Sequence, residues 1–384
     1  MKIAHVLTYV SRDGAYGGPL AVMVAQASEL ARRGHEVEIF AGWDGAAELE
    51  VPGVTVRLFE VRRLLGRGFS TMVAPRLARE LRRRRREFDV VHVHLGRDLI
   101  ALPAALAVGG RGGRPRLFVQ THGMVKPDGR RSAQLVDVAV RLVLRRSTAS
   151  FALNSVDAER ITTVARGAVD VVDLPNGVPE QTTPPSADQG STPEFLFLAR
   201  LQARKNVMTF AQAAKMLVDD GVDARFTVVG PDEGDLPALL AFIDEHGLDH
   251  HLTYGGSVPP GAGPERLSQA DVYVLPSLDE PFPMTVLEAL SVGRPCIIAS
   301  SCHIAEDLER GGGVLLFDGS VAGLAASMAR LAGDSTLRAE RGARALEDVR
   351  TNYSSAAVVD RLLTHYDGDL PLTDAAPLTA GSHA

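Results

Sequence analysis

Short apolar runs alternate with helical patterns along most of the chain, and this alternation constrains the fold more than any other feature. In the N-terminal half, six runs are predicted to be strands: Lys2–Leu7, Glu36–Ala41, Val54–Phe59, Val90–His94, Leu117–His122 and Ser150–Ser155. Between the first two runs, Leu20–Arg33 is predicted to be a helix. Strands that alternate with helices predict βαβ units, whose strands are parallel. The N-terminal half, residues 1–178, is therefore predicted to be a doubly wound, Rossmann-like domain.

A change of composition follows this half. Residues 179–194 are rich in Pro, Thr, Ser and Gln and lack apolar periodicity, so they are predicted to be a linker. A second set of predicted strands then occupies residues 195–200, 225–230, 251–254, 272–275, 296–298 and 314–317. The sequence thus predicts a second Rossmann-like domain over residues 195–353. Residues 367–384 carry no pattern and are predicted to be a flexible tail.

Composition excludes several classes of protein. The net charge of −6 gives the whole chain no electrostatic reason to bind nucleic acid. Only two cysteines occur, which form neither a disulfide framework nor a metal cluster, so reduced thiols in a cytoplasmic protein are predicted. The first residues lack the features of a signal peptide, and no run of ~20 apolar residues is present to span a membrane.

The most informative stretch lies between Asp279 and Gly293. It follows the apolar run Val272–Leu275 and reads as a loop and then a helix, with Pro283 in the first turn and Gly293 at the end. Glu280 precedes this helix and Glu288 lies inside it, with seven residues between them. The free N–H groups and positive dipole at such a helix start favour a phosphate group.

This block resembles the paired-glutamate motif of the GT-B retaining glycosyltransferases of family 4, also called group 1. The flanking Pro-Phe-Pro and Glu-Ala-Leu-Ser-Val-Gly-Arg-Pro support the resemblance, whereas the spacing alone also suits a loop charge and a solvated helix residue. The resemblance implies that Glu288 holds the ribose hydroxyls of a nucleotide-sugar and that Glu280 lies beside the transferred sugar. It also implies a GT-B fold, in which two Rossmann-like domains face each other across a cleft. The helix around Ser354 to Tyr366 would then join the first domain.

Two further sites in the N-terminal half match the family. His122 corresponds to a histidine near the transferred sugar and is assigned a catalytic role with Glu280; a neutral structural histidine is the alternative. Gly17 and Gly18 correspond to a turn that approaches the donor, where a plain βα turn is the alternative. His92 and His94 alternate on one strand face and are predicted to be structural rather than metal ligands.

The donor phosphates have their own predicted partners. Arg200 and Lys205 match family residues that grip the diphosphate, although Arg204 could substitute and a solvated basic loop is the alternative. Fixed cations and helix-end N–H groups stabilise the charge that grows on a leaving nucleoside diphosphate without a metal. The remaining donor-binding predictions are Phe282, Met284 and Thr285. Because Pro283 stands where many members have Gly and lacks an N–H, Met284 and Thr285 must supply those contacts.

The resulting functional prediction is a metal-independent hexosyltransferase without a cofactor, which moves a sugar from a UDP- or GDP-sugar to a hydroxyl acceptor with retention. Its products would belong to polysaccharide, glycolipid or glycosylated-metabolite biosynthesis. A sugar-nucleotide epimerase of the same architecture and a non-catalytic donor-binding subunit are the alternatives. The motif Ser301-Cys302-His303 replaces the family's usual Gly-Gly loop, so sugar contacts there are not transferred.

Positive charge is concentrated between Arg57 and Arg86. This stretch holds eleven arginines against two glutamates, a local charge of +9. One interpretation is a solvated helix face. The other is contact with an anionic surface, either lipid headgroups at the inner face of a membrane or a polyprenyl-phosphate acceptor, with Leu64, Leu65, Phe69 and Met72 inserting. Nucleic acid is disfavoured because no aromatic residues are interleaved with the arginines.

Overall fold

The computed structural model describes residues 1–10, 17–46, 48–64, 71–109, 113–128, 131–181, 192–259 and 261–368. Within these residues, the side chains at 131–135 are not described. The chain divides into two compact units. Unit 1 comprises Met1–Gly177 and the last of the described helices, and unit 2 comprises Val178–Ser354. The predicted segments on 11–16, 65–70, most of 179–194 and 369–384 lie outside the described residues.

Unit 1 is built around a parallel sheet with helices on its faces. Its elements in chain order are β1 (Lys2–Val10), α1 (Gly17–Arg32), β2 (Glu36–Trp43), β3 (Val54–Glu60), β4 (Arg62–Arg63), β5 (Met72–Val73), α2 (Pro75–Arg84), β6 (Val90–His94), α3 (Ala101–Val108), β7 (Arg116–Gln120), α4 (Arg131–Arg146), β8 (Ala149–Ala152), α5 (Ser155–Ala165) and β9 (Val171–Asp173). The sheet order is β3-β2-β1-β6-β7-β8-β9, while β4 and β5 form a small antiparallel pair. The order reverses between β1 and β6, which is where ligands bind in such sheets.

Unit 2 repeats the plan with six strands. Its elements are β10 (Glu194–Leu198), α6 (Val207–Asp219), β11 (Arg225–Val229), α7 (Leu236–Glu245), β12 (Leu252–Tyr254), α8 (Gly263–Ser268), β13 (Val272–Leu275), α9 (Met284–Ser291), β14 (Cys296–Ala299), α10 (Ala305–Arg310), β15 (Val314–Phe317), α11 (Val321–Gly333) and α12 (Ser335–Asp348). The parallel order is β12-β11-β10-β13-β14-β15, so the reversal lies between β10 and β13. Both sheets are Rossmann-like, as the sequence predicts.

The final helix, α13 (Ser355–Asp367), belongs to unit 1. It packs against α1, and the Arg33 guanidinium donates to the Ala356 carbonyl oxygen over 2.9 Å and pairs with Asp360. Its Val358, Val359, Leu362 and Tyr366 side chains are buried in the same apolar cluster as Ile3 and Leu30. One face of the unit 1 sheet is thus covered partly by the last helix of the chain.

Continuous apolar strands explain why both faces of each sheet are covered. In β10, Phe195 and Phe197 enter a cluster with α6 residues such as Phe210, and the intervening Leu196 is buried as well. Strands buried on both faces are typical of parallel sheets with helices on each side. None of the described helices combines the length and apolarity that crossing a membrane requires.

Several predicted boundaries are wrong, and the backbone shows why. The strand predicted to reach His122 ends at Gln120, because His122 has a φ of +51°, a left-handed conformation that a strand cannot contain. The run predicted to end at Ser155 is shorter, since Asn154 caps α5 by accepting from the Asp157 N–H. The first helix begins at Gly17 rather than Leu20, because Pro19 is tolerated in a first turn. The short strand β9 and the β4–β5 pair were not predicted.

The arginine-rich stretch combines an internal part with an exposed part. Arg57 and Arg84 donate to the buried Glu38 carboxylate over 2.6 and 2.7 Å, and these hydrogen bonds outweigh burial and lower the Glu38 pKa to about 2. Met72 is fully buried, so the prediction that it inserts into a membrane is wrong. Leu64 is 60% exposed. Leu65 and Phe69 lie outside the described residues, and exposed arginines stand at positions 62, 63, 76, 79, 82, 83 and 86.

Candidate active site

A cavity of about 280 Å³ in unit 2 lies beside the carboxyl end of β10. Its lining includes Arg200 after β10, Gly230 after β11, the loop between β12 and α8, and Thr285 and Glu288 of α9. Because β10 flanks the point at which the strand order reverses, this is the expected position for a ligand. Three predicted donor-binding residues, Arg200, Thr285 and Glu288, therefore lie around one cavity.

Glu288 is an unusual lining residue because its carboxylate has no hydrogen-bond or charge partner among the described residues. The side chain is half-buried on the second turn of α9, and one carboxylate oxygen lies against Gly263. Burial raises the pKa of Glu288 to about 7. A partly buried carboxylate without donors is costly to ionise, so the site favours a ligand that brings its own hydroxyl or N–H donors.

The start of α9 differs slightly from the prediction. Pro283 occupies the position before the helix rather than its first turn, with φ −86° and ψ 92°, and α9 begins at Met284. The Val286 N–H donates to the Pro283 carbonyl oxygen over 3.0 Å, which places the N–H groups of Met284 and Thr285 ahead of the first helical bonds. Phe282 is buried beside this turn. The helix end follows the prediction, since Gly293 has a φ of +73°.

Glu280 and Lys205 lie together in an ion pair. The Lys205 ammonium donates to Glu280 over 2.6 Å, and the Arg204 guanidinium lies 3.5 Å from the other carboxylate oxygen. The loops after β10 and β13 are also tied by the Leu278 N–H, which donates to the Arg204 carbonyl oxygen over 2.9 Å. Glu280 is 6% exposed, so the pair is largely removed from water. The sequence assigned Glu280 to the transferred sugar and Lys205 to the diphosphate, whereas in the structure the two side chains bond to each other.

Arg200 lies apart from this pair. Its guanidinium is more than half exposed and meets Glu233 over 3.1 Å. Arg200 lines the cavity with Glu288, whereas Lys205 is absent from the cavity lining. An exposed ion pair contributes little stability and is readily exchanged for a ligand. Arg200 is therefore the accessible cation at this cavity, and Lys205 is the cation held by Glu280.

In unit 1, His122 lies in the turn that follows β7. Both His122 and Gly123 have positive φ, +51° and +71°, a conformation that is strained for histidine. The His122 Nε2 atom is hydrogen-bonded to His94 Nδ1 at 2.7 Å, and packing lowers the pKa of the ring even though part of its surface remains accessible. Asn176 slightly favours the charged ring, yet it makes no hydrogen bond of normal geometry to the buried Nδ1 atom. The neutral imidazole therefore has one nitrogen bonded to His94 and one that is buried without a hydrogen-bond partner among the described residues.

The other unit 1 prediction concerns Gly17 and Gly18. They form the first residues of α1 rather than a loop. A Cβ atom on Gly18 would meet nothing within 4 Å, so the space beside this helix start is open. The preceding residues, 11–16, lie outside the described part of the chain.

Sequence reasoning missed several residues of these regions. Around the cavity these include three glycines and three prolines. One of them is Gly230, whose φ is +149° and whose added Cβ would lie 1.8 Å from the Ala199 carbonyl oxygen. A glycine at the end of a predicted strand is the signal that could have found it. In unit 1, His5 was missed because its role depends on which strands are neighbours.

Three buried histidines, His5, His92 and His94, have nitrogen atoms within 4.8 Å of one another. The rings of His92 and His94 stack at 4.7 Å with planes 12° apart, whereas His5 Nδ1 is hydrogen-bonded to His94 Nε2 at 3.1 Å. Lone pairs lie in the ring planes, so stacked rings do not direct them to one central ion, and a tetrahedral site needs N atoms about 2.0–2.1 Å from the metal. His92 Nδ1 is instead bonded to the Tyr366 hydroxyl at 2.6 Å. This geometry fits a hydrogen-bonded core rather than a metal site.

Comparison with known families agrees with this geometry. The profile of the family "Glycosyl transferases group 1" matches residues 180–348, and that of "Glycosyl transferase 4-like domain" matches residues 17–177. The chain belongs to the group 1 glycosyltransferases and has the GT-B fold. It is a transferase by family, which disfavours the epimerase and the non-catalytic alternatives.

Individual relatives are distant. The chain is 28% identical to the D-inositol 3-phosphate glycosyltransferase of Nocardia farcinica, over 93% of this chain and 86% of that protein. It is also 28% identical to the 2-deoxystreptamine N-acetyl-D-glucosaminyltransferase of Streptomyces fradiae, over 94% and 93%. A match to the Escherichia coli UDP-Gal:alpha-D-GlcNAc-diphosphoundecaprenol alpha-1,3-galactosyltransferase, again 28%, covers 56% of this chain and 59% of that protein.

Solved structures show the same fold at lower identity. Anabaena HepE in complex with UDP has a TM-score of 0.75 at 20% identity, covering 96% of this chain and all of that one. The sucrose-phosphate synthase of Thermosynechococcus elongatus has a TM-score of 0.72 at 15% identity, covering 96% and 99%.

Proposed function

We propose that the protein is a retaining glycosyltransferase that takes a nucleotide-sugar donor and a hydroxyl acceptor and requires no metal. The observation that carries this proposal is the unpartnered Glu288 carboxylate on the wall of the unit 2 cavity. A ribose diol supplies two O–H donors of the kind that this carboxylate lacks. Glu288 is thus assigned to the ribose.

The diphosphate of the donor would lie at the start of α9. The N–H groups of Met284 and Thr285 lie at the N-terminal end of α9. Arg200 supplies an accessible cation at the unit 2 cavity, which Thr285 also lines. Charge that grows on the leaving diphosphate is stabilised by such fixed donors. Lys205 neutralises Glu280, so Glu280 can sit near a phosphate without strong repulsion. The residues present thus supply cationic and N–H donors without a metal ion.

Glu280 and His122 are both assigned to the reacting sugar, as their match to the family implies. Glu280 is mostly buried and held by Lys205, which suits a fixed charge at the reacting centre. His122 is a neutral imidazole whose buried Nδ1 atom lacks a hydrogen-bond partner among the described residues, and it is assigned to a hydroxyl of the sugar. In a retaining reaction of this kind, the departing phosphate takes the acceptor proton on the same face of the sugar, so no protein nucleophile is assigned.

A UDP-sugar is the first donor to test, with GDP-sugars second. The Escherichia coli relative is named for UDP-Gal, and the Anabaena structure is a complex with UDP. The proposed product class is a polysaccharide, a glycolipid or a glycosylated metabolite. The relatives' names span an inositol phosphate, an aminocyclitol and a lipid-linked sugar, so the acceptor is sought among hydroxyl compounds broadly.

The test begins with thermal shifts in UDP, GDP, ADP and dTDP, since a nucleotide at 100 times its dissociation constant stabilises by about 2.7 kcal/mol. The matching sugar nucleotide is then incubated with acceptors in EDTA, and the product anomer is assigned by NMR. We expect transfer in EDTA with the anomeric configuration of the donor. An inverted product, or activity only after a divalent metal is restored, would contradict the proposal.

The exposed arginines of unit 1 support a second proposal, peripheral contact with anionic lipid. Arg62, Arg63, Arg76, Arg79 and Arg82 are exposed without an acidic partner in the described structure, and the nearby Leu64 side chain is also exposed. Each such charge near an anionic membrane contributes about 1 kcal/mol. With Met72 in the core, the attraction is mainly electrostatic. Such contact would place a cytoplasmic protein at the inner face of the membrane.

This contact is tested by sedimentation with vesicles that contain anionic or only neutral lipid. We expect binding to the anionic vesicles alone and release as salt rises, because exposed charges are screened within ~8 Å at physiological ionic strength. Replacing Arg76, Arg79 and Arg82 with Gln should abolish binding. The matched control replaces three exposed arginines of unit 2, Arg310, Arg330 and Arg350, with Gln and should leave binding intact. Equal loss in both variants would indicate an effect of net charge rather than this surface.

A further inference from the structure

A column of three histidines runs across neighbouring strands of unit 1. His5 lies on β1, His94 on β6 and His122 just after β7, and these strands are adjacent in the sheet. The His5 Nδ1 atom is bonded to His94 Nε2 at 3.1 Å, and His94 Nδ1 is bonded to His122 Nε2 at 2.7 Å. The ring centroids are 5.4 and 5.0 Å apart and the ring planes differ by 27° and 11°, so the rings are nearly parallel and meet at their nitrogen-bearing edges. His94 thus uses both of its nitrogens within the column.

The column begins in the apolar core and ends near the surface. His5 and His94 are fully buried, whereas His122 retains accessible surface. The register of the sheet aligns the three rings, because His5 pairs with His92 and His94 pairs with Gln120, two residues before His122. Both terminal atoms, His5 Nε2 and His122 Nδ1, are buried and have no hydrogen-bond partner among the described residues.

Hydrogen bonding links the tautomers of the three rings. Burial lowers the pKa of each, so all three are neutral near pH 7 and each carries one N–H. If His94 donates from Nδ1, then His122 must carry its proton on Nδ1 and His5 must donate from Nδ1. If His94 donates from Nε2, all three protons lie on Nε2. Two patterns exist, and the rings change between them only together.

We propose that His5 and His94 are positioning residues that hold His122 in one tautomer and one ring orientation. The His122 Nδ1 atom, which is buried and has no hydrogen-bond partner among the described residues, is then fixed as either a donor or an acceptor. This inference rests on the proposed function for its consequence, since His122 is there assigned to the transferred sugar. The strained φ of His122 fits the same role, because the turn is held in a costly conformation that keeps the ring on the column.

The test reads the tautomer directly. The protein labelled with ¹⁵N-histidine is observed by long-range ¹H–¹⁵N NMR, and the His122 signals are identified among the eleven histidines by their loss in His122→Gln. We expect a single neutral tautomer for His122 in the unaltered protein. In His94→Phe, which keeps a stacked ring but removes both hydrogen bonds, the His122 nitrogen shifts should move toward the average of two exchanging tautomers.

His92→Phe is the matched control. His92 lies on the same strand and face, is equally buried and stacks on His94, but its hydrogen bond goes to Tyr366 outside the column. It should leave the His122 signals unchanged. Both tautomers in the unaltered protein, or the same single tautomer in His94→Phe, would overturn the proposal. The unaltered protein is decisive by itself if His94→Phe does not fold, and His94→Gln is a second, more conservative variant.

Kinetics separate the column from the proposed function. Loss of orientation at a reacting sugar should lower kcat about ten- to a hundredfold in His94→Phe and leave the KM for donor nearly unchanged. If the His122 tautomer changes in His94→Phe but kcat does not, the result supports the positioning role of His5 and His94 and overturns the assignment of His122 to the sugar. A tautomer that does not respond overturns the column, whatever the transfer rate.

Discussion

The two sheets share a strand order but carry opposite chemistry where that order reverses. In unit 1, the side chains near this point are neutral imidazoles that bond to one another and resist protonation. In unit 2, they are ionic, with Lys205 on Glu280 and a partnerless Glu288 on the cavity wall. The same strand arrangement therefore occurs in both units, and the side chains at the point of reversal determine which ligand chemistry each sheet suits.

The largest expected effect is at the ion pair between Glu280 and Lys205 in unit 2. Glu280→Gln should lower kcat about 10²-fold or more, because a fixed charge that stabilises the transition state is lost. Nucleoside diphosphate binding, measured by calorimetry, should be nearly normal, since Glu280 lies apart from the cavity lining. The Gln side chain can still accept from Lys205, so an unchanged melting temperature would show that the fold is intact. Glu306→Gln, on exposed α10, is the matched control and should leave turnover unaltered.

A smaller effect is expected at Glu288. Glu288→Gln should weaken nucleoside diphosphate binding about ten- to a hundredfold, the range expected for losing hydrogen bonds to a charged group at 1.5–3 kcal/mol. Because the ribose contact is present in ground and transition states alike, KM should rise while kcat is spared. Glu265→Gln, an exposed residue of the nearby α8, is the control. If kcat falls instead of affinity, the roles of Glu280 and Glu288 have been interchanged.

The pH dependence of nucleoside diphosphate binding tests whether Glu288 contacts the ligand. In the free protein the Glu288 pKa is raised to about 7, and ribose hydroxyl donors should lower it in the complex. Affinity should therefore fall as pH drops below about 7, by up to tenfold per unit. Titration of the ligand phosphate affects the unaltered protein and Glu288→Gln equally. The difference between their affinities at each pH therefore reports the Glu288 carboxyl group alone. Parallel pH curves would show that Glu288 does not meet the ligand.

The smallest expected effect concerns stability without ligand. The folded pKa of Glu288 is above its unfolded value of about 4.3, so ionisation destabilises the fold as pH rises through this window. At pH 8, Glu288→Gln should therefore melt ~2–4 °C higher, the shift that about 1 kcal/mol produces in a domain of this size. At pH 4, where the folded group is already protonated, the gain should nearly vanish. A gain of equal size at both pH values would assign it to packing.

The fold and the positions of the site loops were accessible from sequence because they depend on local patterns. Apolar runs gave the strands, and the residues from Asp279 to Gly293 gave the loop and α9. Boundaries were less accessible, since the end of β7 is set by the left-handed backbone at His122. The pairing of Glu280 with Lys205 joins residues 75 positions apart and follows only from the adjacency of β10 and β13.

The column formed by His5, His94 and His122 is a second case in which contacts depend on strand order rather than on local sequence. His94 and His122 stood out in the sequence as strand-end residues, but His5 reads as an interruption in an apolar run. Its contact with His94 spans 89 positions and depends on the placement of β6 between β1 and β7. A pattern within one strand indicates which face a side chain occupies, whereas the neighbour on that face is decided by topology.

The return of the final helix to unit 1 has a consequence for synthesis of the chain. Unit 2 is continuous, so all of its strands are synthesised before α13. Unit 1 must wait, because Val358, Val359, Leu362 and Tyr366 cover apolar residues laid down more than three hundred positions earlier. Domains generally fold as units during synthesis. The first unit to begin is thus the last to be finished, and its uncovered sheet face is the surface that chaperones would meet in the nascent protein.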